Sequence, residues 1–264
     1  MLADTHVAAD PDLIANGAPL AGNLKKVVAE IFEAAKSKPI DGVIVNGDCA
    51  FMEGQEGDYR TLGKTLEPLQ ESGIPVHLTM GNHDDREKMI SVMSERKPYN
   101  PLVAGKYVSI IESRTANWFL LDTLEIVNRV TGALGDEQLS WLHQALSDRR
   151  DKPAIIVGHH YLQKDRQATT VTGLRDTELF KKLLSSHRHI AAYVSGHSHD
   201  WQYHPAETTR VNYVSLPPTA YVFNKSRPNG WVLATLTSSG LQLILHSLDH
   251  THHQHLETHA LNWA

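Results

Sequence analysis

The sequence predicts an α/β protein with largely parallel inner strands, and three observations lead there. Short apolar runs rich in β-branched residues alternate with stretches of helical periodicity. Several of those runs end in a glycine followed by polar side chains: Gly47-Asp48, Gly81-Asn82-His83-Asp84-Asp85, Gly158-His159-His160 and Gly196-His197-Ser198-His199. The 264 residues are 41% apolar, enough for one large domain or two small ones with a buried core. The chain is read as a single domain, 1–264.

The elements follow in order. Met1-Leu2-Ala3 precede Asp4-Thr5-His6, so the first strand is expected to be truncated, either very short or continuing in sequence upstream. Asp10 to Gly22 reads as a loop, broken by Pro11, Gly17, Pro19 and Gly22. Leu24, Val27, Val28, Ile31 and Ala35 mark an amphipathic helix over Leu24 to Lys36. Gly42 to Asn46 is a strand, Ala50 to Asp58 a loop, Tyr59 to Ser72 a helix, Pro75 to Met80 a strand and Arg86 to Ser94 a helix. Tyr107 to Ile111 and Trp118 to Leu121 read as neighbouring strands, and a helix carrying Leu139, Trp141, Leu142 and Leu146 follows, with Asp136 as its cap. Ala154 to Val157 and Ile190 to Ser195 are strands around a helix over Thr177 to Ser185. Val211 to Leu216, Trp231 to Thr237 and Leu241 to Leu248 are expected to be mainly antiparallel, because their connections are too short for helical crossovers.

Composition narrows the function. A net charge of -5 with scattered basic pairs gives no nucleic-acid footprint. The single cysteine, Cys49, excludes an intramolecular disulfide framework and reads as a small buried residue. No apolar stretch is long enough to span a bilayer and no signal peptide precedes the first motif, which makes cytoplasm the expectation. The 17 histidines exceed ordinary usage.

Many of them stand at strand ends. Asp4 and His6 sit at positions i and i+2, which places both on one face of a strand. Together with Asp48, Asn82, His83, His159, His197 and His199 they form a set of carboxylates, imidazoles and one amide without thiolate. That set suits Mn²⁺, Fe or Zn²⁺ rather than a Cys-rich structural zinc site. It is too large for one ion, whereas two ions sharing a carboxylate would use it, a device suited to displacement at phosphorus.

In these five motifs and their order, over about residues 1–200, the chain resembles the calcineurin-like metallophosphoesterases. Gly81 to Arg86, with Leu121-Asp122-Thr123 and the helix over Gly135 to Leu146, is similar to the class III cyclic nucleotide phosphodiesterase and glycerophosphodiesterase branch. The resemblance implies a four-layer α/β/β/α sandwich of two mixed sheets flanked by helices, with two metal ions at the sheet edge. One ion would take Asp4, His6, Asp48 and His199, and the other Asp48, Asn82, His159 and His197, with Asp48 bridging. A hydroxide on the metals would attack a small phosphodiester, and His83 would donate a proton or stabilise charge at the leaving oxygen.

Many relatives carry Asp or Asn three residues after the bridging Asp, where it orients the catalytic His. Here that residue is Phe51, and either Glu53 or Asp84 substitutes or the loop Ala50 to Gly57 is arranged differently. His160 takes either a substrate-facing role or one of supporting the ligands and packing; Arg86 reaches either a phosphate or, as preferred here, a structural partner. The His-rich segment at about 250–264 is expected to be a solvated tail. Substrate choice is expected in the loops Ala50 to Asp58, Leu124 to Leu134 and Leu162 to Asp176. A phosphomonoesterase on the same metals is the second reading and a non-catalytic interaction scaffold the third; a homodimer is the modest expectation for assembly.

Overall fold

A computed structural model of the chain describes residues 1–94, 99–163, 169–206 and 210–263. The first sheet is built on the parallel strands β1 (Leu2–Ala3), β4 (Val43–Asn46) and β5 (Val76–Thr79), in the order β1-β4-β5. Between β1 and β4 lie a small hairpin, β2 (Ile14–Ala15) with β3 (Ala18–Pro19), and helix α1 (Leu20–Ser37). Helices α2 (Glu56–Glu71) and α3 (Arg86–Ser94) follow β4 and β5. The antiparallel strands β12 (Gly230–Leu236), β13 (Gly240–Ser247) and β14 (Thr258–Asn262) extend this sheet, because Met1 N donates to Val232 O at 2.7 Å and Val232 N to Met1 O at 2.9 Å.

The second sheet contains β6 (Ser109–Glu112), β7 (Asn117–Leu120), β8 (Ala154–Val157), β9 (Ile190–Ser195), β10 (Gln202–His204) and β11 (Asn212–Ser215), in the order β10-β11-β9-β8-β7-β6. Helices α4 (Asp136–Ser147) and α5 (Thr177–Ser186) cover its outer face. The two-residue period of the strands sorts their side chains between layers. Val43 and Val45 face the core under α1 and α2, while Ile44 faces the second sheet. Ile155 and Val157 likewise meet the first sheet, while Ala154 and Ile156 pack under α4 and α5. Three apolar interfaces thus separate four layers, α/β/β/α.

Several expectations need correction. The stretch Asp10 to Gly22 is not a plain loop: it holds the β2–β3 hairpin, and α1 starts at Leu20, inside Pro19. Burial of Leu20, Ala21 and Leu24 outweighs the roughly 1 kcal/mol propensity cost of Gly22. Helix α2 begins before Tyr59, because Gln55 N donates to the Asp58 carboxylate at 2.8 Å and closes its first turn. Asp136 is the first helical residue, not the cap of α4. The amides of Leu134 and Gly135 instead donate to Asp176 Oδ2, both at 2.8 Å. Strand β11 is parallel to β9, because the chain crosses over through the edge strand β10 rather than through a helix. The expected tail is not solvated throughout: residues 258–262 pair with β13, and His259 stacks on Tyr203. Within the expected loop Leu162 to Asp176, residues 164–168 lie outside the described residues.

Candidate metal centre and active site

The C-terminal ends of β1, β4 and β5 in one sheet and of β8 and β9 in the other converge on one edge of the sandwich. A two-residue β1 suffices to place Asp4 and His6 because its loop remains stitched to the loop after β4. Asp4 N donates to Gly47 O at 3.1 Å, His6 N to Asp48 O at 2.9 Å and Val7 N to Cys49 O at 3.0 Å. The side chains turn inward through backbone torsions that L residues rarely adopt: φ is 51° at Asp4, 43° at His6, 45° at Asp48, 66° at His197 and 51° at His199. Strained residues clustered in this way persist only where the surrounding bonds over-determine them. Gly81 has its own steric reason, since a Cβ there would lie 2.2 Å from the Asp48 amide.

Asp4, His6, Asp48, His159 and His199 are all buried. Asp48 Oδ2 lies 3.3 Å from His159 Nε2 and 3.7 Å from His6 Nε2. Asp4 Oδ1 lies 3.4 Å from His199 Nε2 and 3.9 Å from His159 Nε2. His6 and His199 bring their Nε2 atoms within 3.1 Å of each other. Backbone carbonyls set the tautomers. His159 Nδ1 donates to Asn46 O at 2.9 Å, His199 Nδ1 to Tyr221 O at 2.8 Å and His197 Nε2 to Thr172 O at 2.8 Å. The other nitrogen of each ring is thereby left as the one presented to a ligand.

Electrostatics follows from this crowding. Burial opposes the charge on Asp4 and Asp48, yet His199 and His159 beside the first and His159 and His6 beside the second hold both carboxyls below their usual range. Burial also opposes protonation of His159, but Asp48 and Asp4 outweigh it and raise the imidazole to about 9. Burial prevails at His6 and at His197, each lowered to about 4.

Among the described residues, three groups offer ligand atoms close enough to hold a metal ion: Asp4, His6 and His199; His6, Asp48 and His83; and Asp48, His159 and His197. The buried atoms Asn82 Oδ1 and His159 Nε2 have no hydrogen-bond partner among the described residues. Buried polar atoms are rarely left so, and a cation would satisfy both. The donor set therefore fits metal.

His83 is half-buried beside this cluster, its ring 5.3 Å from that of His6 and its amide donating to Asp48 Oδ1 at 2.9 Å. The partner that orients it is neither Glu53 nor Asp84. His83 Nδ1 donates to the carbonyl of Met52 at 2.6 Å, and Met52 reaches that position at a φ of 61°. Glu53 is exposed on the loop. Asp84 instead accepts from the amides of Gly81, Cys49 and Ala50 and from the Tyr59 hydroxyl, bracing the loops that carry Asp48 and Asn82. Burial, reinforced by Asp48, raises its carboxyl to about 6.

Phe51 packs with Leu20, Ala220 and Tyr221. Arg86 takes the structural role, a two-pronged pair with Asp122 at 2.5 and 2.9 Å and a further bond to Leu124 O. His160 is buried behind the cluster, 2.7 Å from Thr123 Oγ1 and with its ring 4.6 Å from His197, so it supports the ligands rather than facing substrate. Sequence reading missed the carbonyls of Asn46, Met52, Thr172 and Tyr221, which carry no residue-type signal. A cavity of about 940 Å³ opens over the cluster, walled by His83, Val130, Tyr161, Tyr221 and Phe223 among others.

The sequence pattern of the calcineurin-like phosphoesterases matches residues 1–201. The chain belongs to this family. It is accordingly a phosphoric ester hydrolase. Over 242 residues it is 25% identical to a "probable cyclic nucleotide phosphodiesterase" of Synechococcus, covering 90% of this chain and 87% of that protein. It is 25% identical over 179 residues to a cAMP/cGMP dual specificity phosphodiesterase of Mycobacterium tuberculosis, covering 67% of this chain and 52% of the relative. A glycerophosphodiester phosphodiesterase of Enterobacter lignolyticus is 27% identical over 123 residues, 46% of this chain and 41% of that one. Among solved structures, a dimetal phosphatase of Danio rerio shares the fold with a TM-score of 0.74 at 14% identity, over 100% of this chain and 98% of the other. No helix among the described residues is long and apolar enough to cross a membrane.

Proposed function

We propose that the protein hydrolyses a small phosphodiester, a cyclic nucleotide or a glycerophosphodiester, at a dinuclear metal centre. The observation that carries this reading is the set of buried ligand atoms converging at the sheet edge, with Asn82 Oδ1 and His159 Nε2 otherwise unsatisfied. Relatives named for cyclic nucleotide and glycerophosphodiester hydrolysis support the substrate class.

Asp4, His6, Asp48 and His199 would hold one ion, and Asp48, Asn82, His159 and His197 the second, with Asp48 shared. When bound, two divalent ions supply hydroxide at neutral pH and neutralise the phosphoryl oxygens, the two needs of attack on an anionic diester. His83 supplies the leaving oxygen with a proton. Its Nδ1 hydrogen is committed to the Met52 carbonyl, so the proton given to the leaving oxygen comes from Nε2 of a ring protonated on both nitrogens. Because that partner is a neutral carbonyl, it orients the ring without adding a negative charge.

The test is hydrolysis of a chromogenic phosphodiester and of the matching monoester by protein stripped of metal and reloaded with Mn²⁺, with His83→Ala as the control. A metal-dependent diester preference that falls in the variant is the expected result. Turnover of the monoester alone would make the protein a phosphatase. No turnover with two metals bound per chain would make it a scaffold.

A further inference from the structure

Phe223 is the most exposed large apolar side chain among the described residues, at 72%, and it stands at the site rather than on a remote surface. One face of its ring stacks on the imidazole of His199, with centroids 4.4 Å apart and planes 29° from parallel. The ring is otherwise largely exposed and lines the cavity. Tyr221 meets the Phe223 ring edge-on at 5.6 Å and itself stacks on His6 at 5.1 Å. Just beyond Phe223 the chain turns, Arg227 N donating to Asn224 O at 2.9 Å and the Arg227 guanidinium lying 3.2 Å from Asp200. A phenyl ring that packs on the imidazole of a proposed ligand and is otherwise exposed offers an apolar π surface beside the site, which favours a flat partner. The cavity of about 940 Å³ exceeds what a phosphate group fills and lies in the range of pockets for nucleotide-sized ligands.

We propose that Phe223, flanked by Tyr221, is the stacking platform for an aromatic base on the substrate, so that the protein prefers a nucleotide diester to an aliphatic glycerol diester. This inference rests on the diesterase reading and selects between the two substrate classes it leaves open. A base stacks on the exposed ring of Phe223, whereas a polyol gains little from an apolar ring there. The remaining alternative is that the ring only shields His199 from water.

The experiment compares metal-loaded wild-type protein, Phe223→Leu and Phe223→Trp, measuring bound metal per chain for each. Adenosine monophosphate and inorganic phosphate serve as competing ligands, and cyclic adenosine monophosphate and glycerophosphoethanolamine as substrates. Leucine keeps an apolar cover over His199 but removes the π face. Weakening of adenosine monophosphate by roughly five- to a hundredfold relative to phosphate in Phe223→Leu, with recovery in Phe223→Trp, is the expected outcome. The ratio of kcat/KM for the nucleotide over the glycerol diester should fall by a similar factor. Equal shifts for adenosine monophosphate and phosphate, or loss of bound metal as the only effect, would overturn the platform. If the wild-type protein hydrolyses neither diester, the diesterase reading fails, while a preference for adenosine monophosphate over phosphate that Phe223→Leu abolishes still sustains the platform.

Discussion

The histidines at the sheet edge and those near the C-terminus are chemically the same residue in opposite circumstances. At the sheet edge, His159, His197 and His199 each donate one nitrogen to a backbone carbonyl, and His159 and His199 turn the other toward a buried carboxylate. Near the C-terminus the rings meet mainly each other and scattered partners. His250 stacks on His255 at 4.6 Å and lies 3.2 Å from Glu30, while His252 lies against His253 and donates to Ser226 O at 3.0 Å. Among the described residues, no three metal-binding groups converge in that second region. A local excess of histidine therefore does not make a site. Carbonyl anchoring and a shared, buried carboxylate do, because they fix both tautomer and direction before any ligand arrives.

The largest expected effect comes from removing the shared carboxylate. Asp48→Asn should lose bound metal and roughly a thousandfold or more in diester turnover, measured by metal analysis and steady-state kinetics. His83→Ala is expected to lower kcat by about a hundredfold or more while retaining metal, since the role proposed for it is proton transfer. The link through Met52 gives a smaller and sharper test. A β-branched residue resists positive φ, so Met52→Val should displace the carbonyl and lower kcat about tenfold, whereas Met52→Gly should stay close to the wild type. Chelation should lower Tm by about 5 to 10 °C, because ions bound only by the folded state stabilise it by mass action. The other half of the comparison predicts little: His253→Ala should leave metal content unchanged, and a loss there would show that the C-terminal group binds metal after all.

A third histidine group sharpens the contrast through pH. Burial, reinforced by His143 at 3.0 Å, lowers His187 from 6.5 to about 4, so it is neutral in the folded protein near neutrality. The unfolded chain binds its proton first as pH falls. The stabilising contribution of the neutral ring is therefore complete above about pH 6.5 and is lost progressively toward pH 4. Denaturant unfolding followed over that range should show a shallower acid loss in His187→Gln.

The sequence by itself determined the alternation of strands and helices, because periods of about 2 and 3.6 residues report directly which faces are buried. It also determined the candidate ligands Asp4, His6, Asp48, Asn82, His159, His197 and His199, because their residue types recur just past strand ends. Tertiary structure decided what no local pattern encodes. The parallel placement of β11, the pairing of β14 and the hold of Asp176 on the amides of Leu134 and Gly135 just before α4 depend on partners distant in sequence. So does the orientation of His83, set by a carbonyl thirty-one residues away. Every residue except proline offers the same backbone donor and acceptor, so where those groups meet is fixed only when the layers close.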